Sequence, residues 1–284
     1  MDINTKSKVK QALGNTVARI ILLVFFVITV YPFIWATLTS LKTNAEFCNS
    51  PFALPTSLNW DNYARAWATA GLDKYVWNSL FVTALTLVFT LVLVIPCSYC
   101  LVRYKFPGNR VIMALFLTCL FITGNYILIP LFLQMNKLHL LNSLWGLIIV
   151  YSAFRIPYSC FLLTGYLQGI PKDYEEAATL DGCGPFRVLL NVIVPLAKPS
   201  VTTIAMLTLM AAWNEYTMAF IMVTDPAKKT LTVGLQALQQ VMEYATDWVA
   251  LFAGLMIAFI PTLFIYAACK NQLMQGVNVG GLKG

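Results

Sequence analysis

Charged residues and histidine are scarce in this sequence. Of the 284 residues only 11% are charged, Asp and Glu together number 12, and there is one histidine, His139. Metal centres and acid–base catalytic sites need several such side chains in contact, and the single CxxC pair, Cys97 and Cys100, has no second pair or histidine beside it. We interpret the cysteines as small apolar packing residues. No catalytic residue, metal site or enzymatic activity is expected.

Hydrophobic residues are abundant instead. They make up 59% of the chain and gather in long runs with few charges. Because a helix of about 20 apolar residues crosses a bilayer, the chain is predicted to be an all-α integral membrane protein, with one transmembrane domain over residues 1–284. The first run has a basic flank, as signal peptides do, but its length favours an uncleaved helix. The six predicted transmembrane helices cover about residues 20–41, 76–102, 111–134, 141–165, 199–223 and 248–269.

The distribution of basic residues predicts the orientation. Most of the 19 Lys and Arg residues lie in the N-terminal segment and in every second loop after it. Such loops face the cytoplasm, so both termini are predicted to be cytoplasmic, in a multi-pass protein of the plasma membrane. This bias accounts for the net charge of +7, and no nucleic-acid partner is expected.

One cytoplasmic loop, residues 171–198, has an unusual composition. Pro171 is suited to the start of a helix, whose N-terminus favours carboxylates. Gly182 allows the chain to turn, and Pro185 is suited to the start of a second helix. A cytoplasmic helix–turn–helix is therefore predicted. It contains a third of the acidic residues of the chain, Asp173, Glu175, Glu176 and Asp181.

The two helices of this loop are expected to face different surroundings. An acidic helix suits a basic protein partner better than an anionic lipid surface. Glu176 is expected to contact that partner, while Asp173 and Glu175 serve the helix end. The second helix is expected to pack on the bundle through one apolar face, made of Phe186, Leu189, Leu190 and Ile193.

The loop resembles a known signature. Glu176-Ala177-Ala178, then Gly182, then Val192-x-Val194-Pro195 resembles the EAA motif of permease subunits of binding-protein-dependent ABC importers, with valines where the family has Ile and Leu. The stretch "YLQGIPKDYEEAATLDG", the element "WNEY" and the tail "QGVNVGGLKG" resemble the carbohydrate-type members, and the six-span subunit of the maltose-type importer in particular. The resemblance covers nearly the whole chain.

The resemblance implies a function and a set of partners. It implies a permease that carries an oligosaccharide or related sugar, or alternatively a polyol or glycerol phosphate. The partners would be a second permease subunit, an extracytoplasmic solute-binding protein, membrane lipid and an ATPase dimer, which would bind the ATP and Mg. The ATPase would hold the 171–198 loop and the C-terminal tail. Its contacts would be made by Glu176, Ala177, Ala178, Gly182 and Pro195.

Two charges lie inside the predicted spans, Arg155 and Glu215. Such charges are costly unless they face a cavity or a partner. Two alternatives remain open. Arg155 and Glu215 line a substrate path, or they pair with each other or with a second permease and thereby orient helices. Beside Glu215 lie Trp213, Asn214 and Tyr216. Their aromatic faces and hydrogen-bonding groups together suit the binding of a sugar. An ion-coupled transporter is a weaker alternative, because it would have internal repeats and several intramembrane carboxylates.

Overall fold

The computed structural model describes residues 3–69, 71–122, 124–245 and 247–280, and no β-strand occurs in these ranges. Helices α1 to α14 are, in chain order, Ile3–Thr39, Asn44–Asn49, Asp61–Thr69, Leu72–Arg103, Asn109–Cys119, Leu128–Lys137, Leu144–Gln168, Asp173–Leu180, Pro185–Val188, Val194–Leu196, Lys198–Trp213, Thr217–Met222, Leu231–Ala245 and Trp248–Gly280. Short 3₁₀-helices at Gly124–Ile127 and Pro226–Lys228 and a π-helix at Leu189–Ile193 complete the structure.

Within the described ranges, four helical segments are long and apolar enough to cross a membrane. A fifth span results if two helices, Pro185–Leu196 and Lys198–Trp213, which meet at an angle of 80°, are counted as one. The prediction of an all-helical membrane protein is thereby confirmed, but the count of six is not. The four segments are Gly14–Thr39, Leu72–Arg103, Leu144–Gln168 and Trp248–Ala267.

The difference lies in the third and fifth predicted spans. In place of a continuous helix over 111–134, the structure has α5, which ends at Cys119, a 3₁₀ turn that begins at Gly124, and then α6. The helix predicted over 199–223 stops at Trp213 and resumes at Thr217. The first interruption includes Gly124-Asn125. The second falls at Asn214-Glu215, where the Glu215 carboxylate accepts from the N–H groups of Met218 and Ala219 in place of a helical carbonyl.

The chain divides into two compact units. The first comprises Met1–Thr69 and Leu238–Ile257, and the second comprises Ala70–Ala237 and Ala258–Gly284. In the first, Trp35 packs edge-on against Phe252, with ring centroids 5.1 Å apart. The Lys42 ammonium is buried there and donates to the carbonyl of Pro51 at 2.8 Å, which satisfies a charge that burial would otherwise penalise.

A capping box closes the start of α2 in the same unit. The Thr43 hydroxyl accepts from the Glu46 N–H, and the Glu46 carboxylate accepts from the Thr43 N–H. The bond from the Thr43 backbone, with a second one from the Thr56 hydroxyl, lowers the pKa of Glu46 to about 2. The segment around α2 is therefore organised by its own hydrogen bonds.

The second unit is built on the contact between α4 and α7. Hydroxyl-bearing residues of α4 are buried in it, Thr83, Thr86 and Thr90 among them. Ser152 of α7 donates to the carbonyl of Thr86 at 3.5 Å. Small polar residues allow two helices to approach closely where lipid offers no hydrophobic gain from their association. Buried apolar side chains from both helices complete the contact, including Val82, Val94, Leu147, Ile148 and Leu163.

We predict that Gly234→Ala in α13 destabilises the protein by about 1–3 kcal/mol, because a Cβ there would overlap the ring of the buried Tyr75. Thermal unfolding of the purified protein in detergent measures the effect as a lower midpoint. Gly165→Ala in α7 is the matched control, since no atom lies within 4 Å of its added Cβ and alanine favours the helix. Equal midpoints for the two variants would show that this close approach is not needed.

Candidate functional site

The 171–198 loop forms the predicted helix–turn–helix. Helix α8 begins at Asp173, two residues after Pro171, and ends at Leu180. Gly182 then takes a φ of +84°, which favours glycine, although no atom lies within 4 Å of an added Cβ. The turn therefore needs glycine for its backbone conformation and not for space.

The second helix of the loop contains a π-helical turn where a regular α-helix is predicted. After α9 the chain forms a π-helix over Leu189–Ile193, in which the N–H of Val194 donates to the carbonyl of Leu189. Pro195 follows in α10 and has no N–H to offer. Such π turns occur often at functional sites.

The side chains of the second helix that face the bundle differ in part from the predicted set. Leu189 and Ile193 are buried, as predicted, in a cluster with Leu163 and Leu167 of α7. Val188 and Ala197 join them there. The prediction was wrong for the other two members of the expected face, since the side chains of Phe186 and Leu190 are exposed at 72% and 47%. Two of the four predicted contacts therefore anchor the second helix.

The acidic side chains of α8 separate into two groups. Glu175 turns inward, where its carboxylate forms an ion pair with Arg103 at the end of α4 and accepts from the Tyr99 hydroxyl at 2.9 Å. The structure thus corrects the expectation that Glu175 serves only the helix end. Tyr99 lies 76 residues from Glu175 in the chain, so the pattern of the loop alone gave no signal for this contact.

Glu176 and its neighbours face outward. Glu176 and Ala177 are exposed, Ala178 is half-buried, and Gly182 and Pro195 are exposed. Leu180 and Phe186 lie exposed on the same loop, with 89% and 72% of their surface accessible. We call Glu176, Ala177, Leu180 and Phe186 the loop surface. It combines one carboxylate with apolar side chains, a composition that suits contact with a protein.

Glu215 occupies the break between α11 and α12. Its carboxylate accepts from the backbone N–H groups of Met218 and Ala219 at 2.8 and 3.1 Å, which caps the start of α12. The Tyr151 hydroxyl of α7 donates to it at 2.6 Å. Tyr151 was missing from the predicted site, although a tyrosine hydroxyl buried in a span needs such a partner. The carboxylate of Glu215 is therefore satisfied within the protein.

Arg155 lies beside Glu215 without bonding to it. Both line a cavity of about 220 Å³, together with Tyr151, Phe154 and Gly124. Arg155 is half-buried, and among the described residues it makes no ion pair and no hydrogen bond. Arg155 and Glu215 therefore face one cavity without forming a direct ion pair or hydrogen bond.

The other three predicted path residues have different surroundings. Trp213 is buried and donates to the carbonyl of Ala258 at 3.3 Å. Asn214 is exposed and donates back to the carbonyl of Met210. Tyr216 bonds to Gln236. Of the five candidates, the structure brings Arg155 and Glu215 together at one cavity.

We predict that Glu215→Ala lowers the unfolding free energy by about 1–3 kcal/mol, because it removes the acceptor for Tyr151 and for two N–H groups of α12. Thermal unfolding in detergent is the measurement. Thr217→Ala, at an exposed position of α12, is the control and is expected to stay within about 0.5 kcal/mol of the parent. A Glu215→Ala midpoint equal to that of the control would exclude a capping role.

Comparison with known proteins gives a family match. The model of the family "Binding-protein-dependent transport system inner membrane component" matches residues 78–273. The Diacetylchitobiose uptake system permease protein NgcG of Streptomyces coelicolor is 33% identical over 264 residues, which cover 93% of this chain and 87% of that protein. The matched range contains the loop, the cavity and most of the bundle.

Solved structures show the same fold. A chain in the crystal structure of a bacterial ABC transporter involved in the import of the acidic polysaccharide alginate superposes with a TM-score of 0.83 at 24% identity, covering 92% of this chain and 97% of that one. A chain in a bacterial alginate ABC transporter in complex with an alginate pentasaccharide-bound periplasmic protein gives a TM-score of 0.68 at 13% identity, covering 93% and 96%.

Proposed function

The chain belongs to the family of binding-protein-dependent transport system inner membrane components, and from this we propose that it is the transmembrane permease subunit of an ATP-driven importer of a carbohydrate. The observation that carries the proposal is the exposed loop surface, joined to a bundle of membrane helices. Because Glu176 lies among its apolar side chains, this surface suits a protein partner better than an anionic lipid surface. The permease of an importer has such a partner in its ATPase.

In the proposed complex the loop surface seats on the cytoplasmic ATPase dimer, which places both termini in the cytoplasm. Glu176 meets a basic group of the ATPase, while Ala177 and Ala178 allow close approach. Gly182 forms the turn, and Pro195 closes the second helix. ATP and Mg bind to the ATPase, and this chain performs no chemistry. A movement of the ATPase then acts on the bundle as a rigid-body shift.

The remaining partners follow from the architecture of such importers. We propose a second permease subunit, surrounding lipid and an extracytoplasmic solute-binding protein, and the alginate transporter bound to a periplasmic protein supports the last of these. The C-terminal tail is a further proposed ATPase contact. Its residues 281–284 lie outside the described residues, as do the side chains from residue 268 onward.

The substrate path is proposed to include the cavity that Arg155 and Glu215 line. An unpaired guanidinium provides several hydrogen-bond donors for the hydroxyl groups of a sugar, and the aromatic side chains of Phe154 and Tyr151 line the same space. A polyol or a glycerol phosphate would offer similar acceptors. The diacetylchitobiose permease among the relatives favours an oligosaccharide.

Uptake into vesicles tests the function. The chain is purified with its natural partner subunits, reconstituted with the solute-binding protein, and supplied with labelled oligosaccharides, polyols and glycerol phosphates. We expect uptake of a sugar only when ATP is enclosed with the ATPase. Uptake that an ion gradient drives without ATP would contradict the importer.

We predict that Glu176→Lys lowers ATP-driven uptake about tenfold or more while the chain still inserts and unfolds at an unchanged temperature, because the exposed carboxylate has only the partner to contact. Gly182→Leu should have a similar effect through the strained turn. Asp61→Lys makes the same charge change at an exposed site outside the loop and should transport normally. Normal uptake by Glu176→Lys and Gly182→Leu would contradict a role of the loop in coupling.

A further inference from the structure

Helix α8 is attached to the rest of the protein in an unusual way. It has no fully buried residue, and Ala178 alone of its side chains packs on the apolar cluster beneath the loop. The second helix of the loop, in contrast, buries Val188, Leu189 and Ile193. Apolar packing therefore anchors the second helix strongly and α8 only weakly.

A buried polar contact takes the place of packing for α8. Glu175 forms an ion pair with Arg103, the last residue of α4, and the side chains are only 14% and 7% exposed. The other carboxylate oxygen of Glu175 accepts from the hydroxyl of Tyr99, one turn earlier on α4. Arg103 also donates to the carbonyl of Ile170, just before the loop, at 2.9 Å. One carboxylate of α8 is thus fixed by two side chains of a single membrane helix.

Such a contact fixes geometry better than it adds stability. Forming a buried ion pair costs desolvation that offsets most of its attraction, but moving one partner away leaves an uncompensated buried charge. The pair therefore tolerates little displacement between its two helices. Tyr99 and Arg103 lie on the same helix four residues apart, so the carboxylate is held at two points and α8 has little freedom to rotate about one bond.

We propose that Glu175, Arg103 and Tyr99 form a rigid link that transmits movement between α8 and the membrane helix α4. The inference rests on the proposed function, in which the loop surface seats on the ATPase. Consecutive helical residues point about 100° apart, so Glu176 faces the partner while Glu175 faces α4. Glu175 and Arg103 are positioning residues, and they act on coupling without contacting ATP or sugar.

The ratio of sugar taken up to ATP hydrolysed is the measurement that tests the link. The complete complex is reconstituted with Arg103→Gln, Glu175→Gln or the exchange Arg103→Glu with Glu175→Arg. We expect each single variant to lower the ratio about tenfold while hydrolysis continues, and the exchange to recover a large part of the loss. Tyr99→Phe, which removes one hydrogen bond and keeps the ring, should lower the ratio less.

Controls separate coupling from folding. Lys105→Gln changes an exposed basic residue two positions after Arg103 and should leave the ratio within about twofold of the parent. Each variant complex is also compared for subunit composition and unfolding midpoint, and variants that match the parent in both are scored. If the single variants fail to assemble, the exchange variant and Tyr99→Phe are used to test whether the link couples hydrolysis to uptake.

The outcomes distinguish the link from the function on which it rests. A parent complex without ATP-dependent uptake would overturn the proposed function. A parent that transports, with Glu175→Gln and Arg103→Gln keeping the normal ratio, would overturn the link alone. An exchange variant that assembles but recovers nothing, beside single variants that lose coupling, would show that the fixed geometry and not the ion pair is required, and would overturn the link as stated.

Discussion

Helices α4 and α7 pack against each other in the second unit, and both candidate sites are attached to this contact. In lipid the helices gain nothing from hiding apolar surface from water, so the contact depends on close approach, with buried threonines and serines between the backbones. The end of α4 holds the acidic helix through Arg103, and α7 supplies Tyr151 and Arg155 to the cavity. A shift of one helix against the other would move both sites.

The position of each carboxylate determines its use in this protein. The carboxylates of Glu215 and Glu175 both have partners within the chain, a helix start and a tyrosine for Glu215 and an arginine and a tyrosine for Glu175. Glu176 is left exposed. Because an acidic group is expensive to bury without partners, satisfied carboxylates fix the structure and exposed ones remain for recognition. Adjacent residues such as Glu175 and Glu176 can therefore have different roles, one in fixing the structure and the other in recognition.

The sequence predicts apolar membrane segments and local turns far better than it predicts contacts between residues that are distant in the chain. The four long apolar segments, the start of α8 and the turn at Gly182 follow from composition and from glycine and proline chemistry within a few residues. The ion pair of Glu175 with Arg103 does not, because the two lie on separate elements. The π-helix after α9 is also not predicted by the pattern, and Phe186 and Leu190 are exposed although the pattern predicts that they are buried.

The exposure of helix α1 determines how freely its sequence can vary. In its membrane-spanning part, Gly14–Thr39, none of the most apolar 18-residue window is buried inside the chain, and side chains such as Leu22 and Phe25 are about two-thirds exposed. Packing within the chain places almost no demand on their shapes, and lipid accepts any apolar side chain of similar hydrophobicity. Exchanges among Leu, Ile, Val and Phe can accumulate there at no cost to this fold. Divergence along α1 between relatives therefore carries information about the surface that covers the helix, a second subunit or lipid, and little about the chain itself.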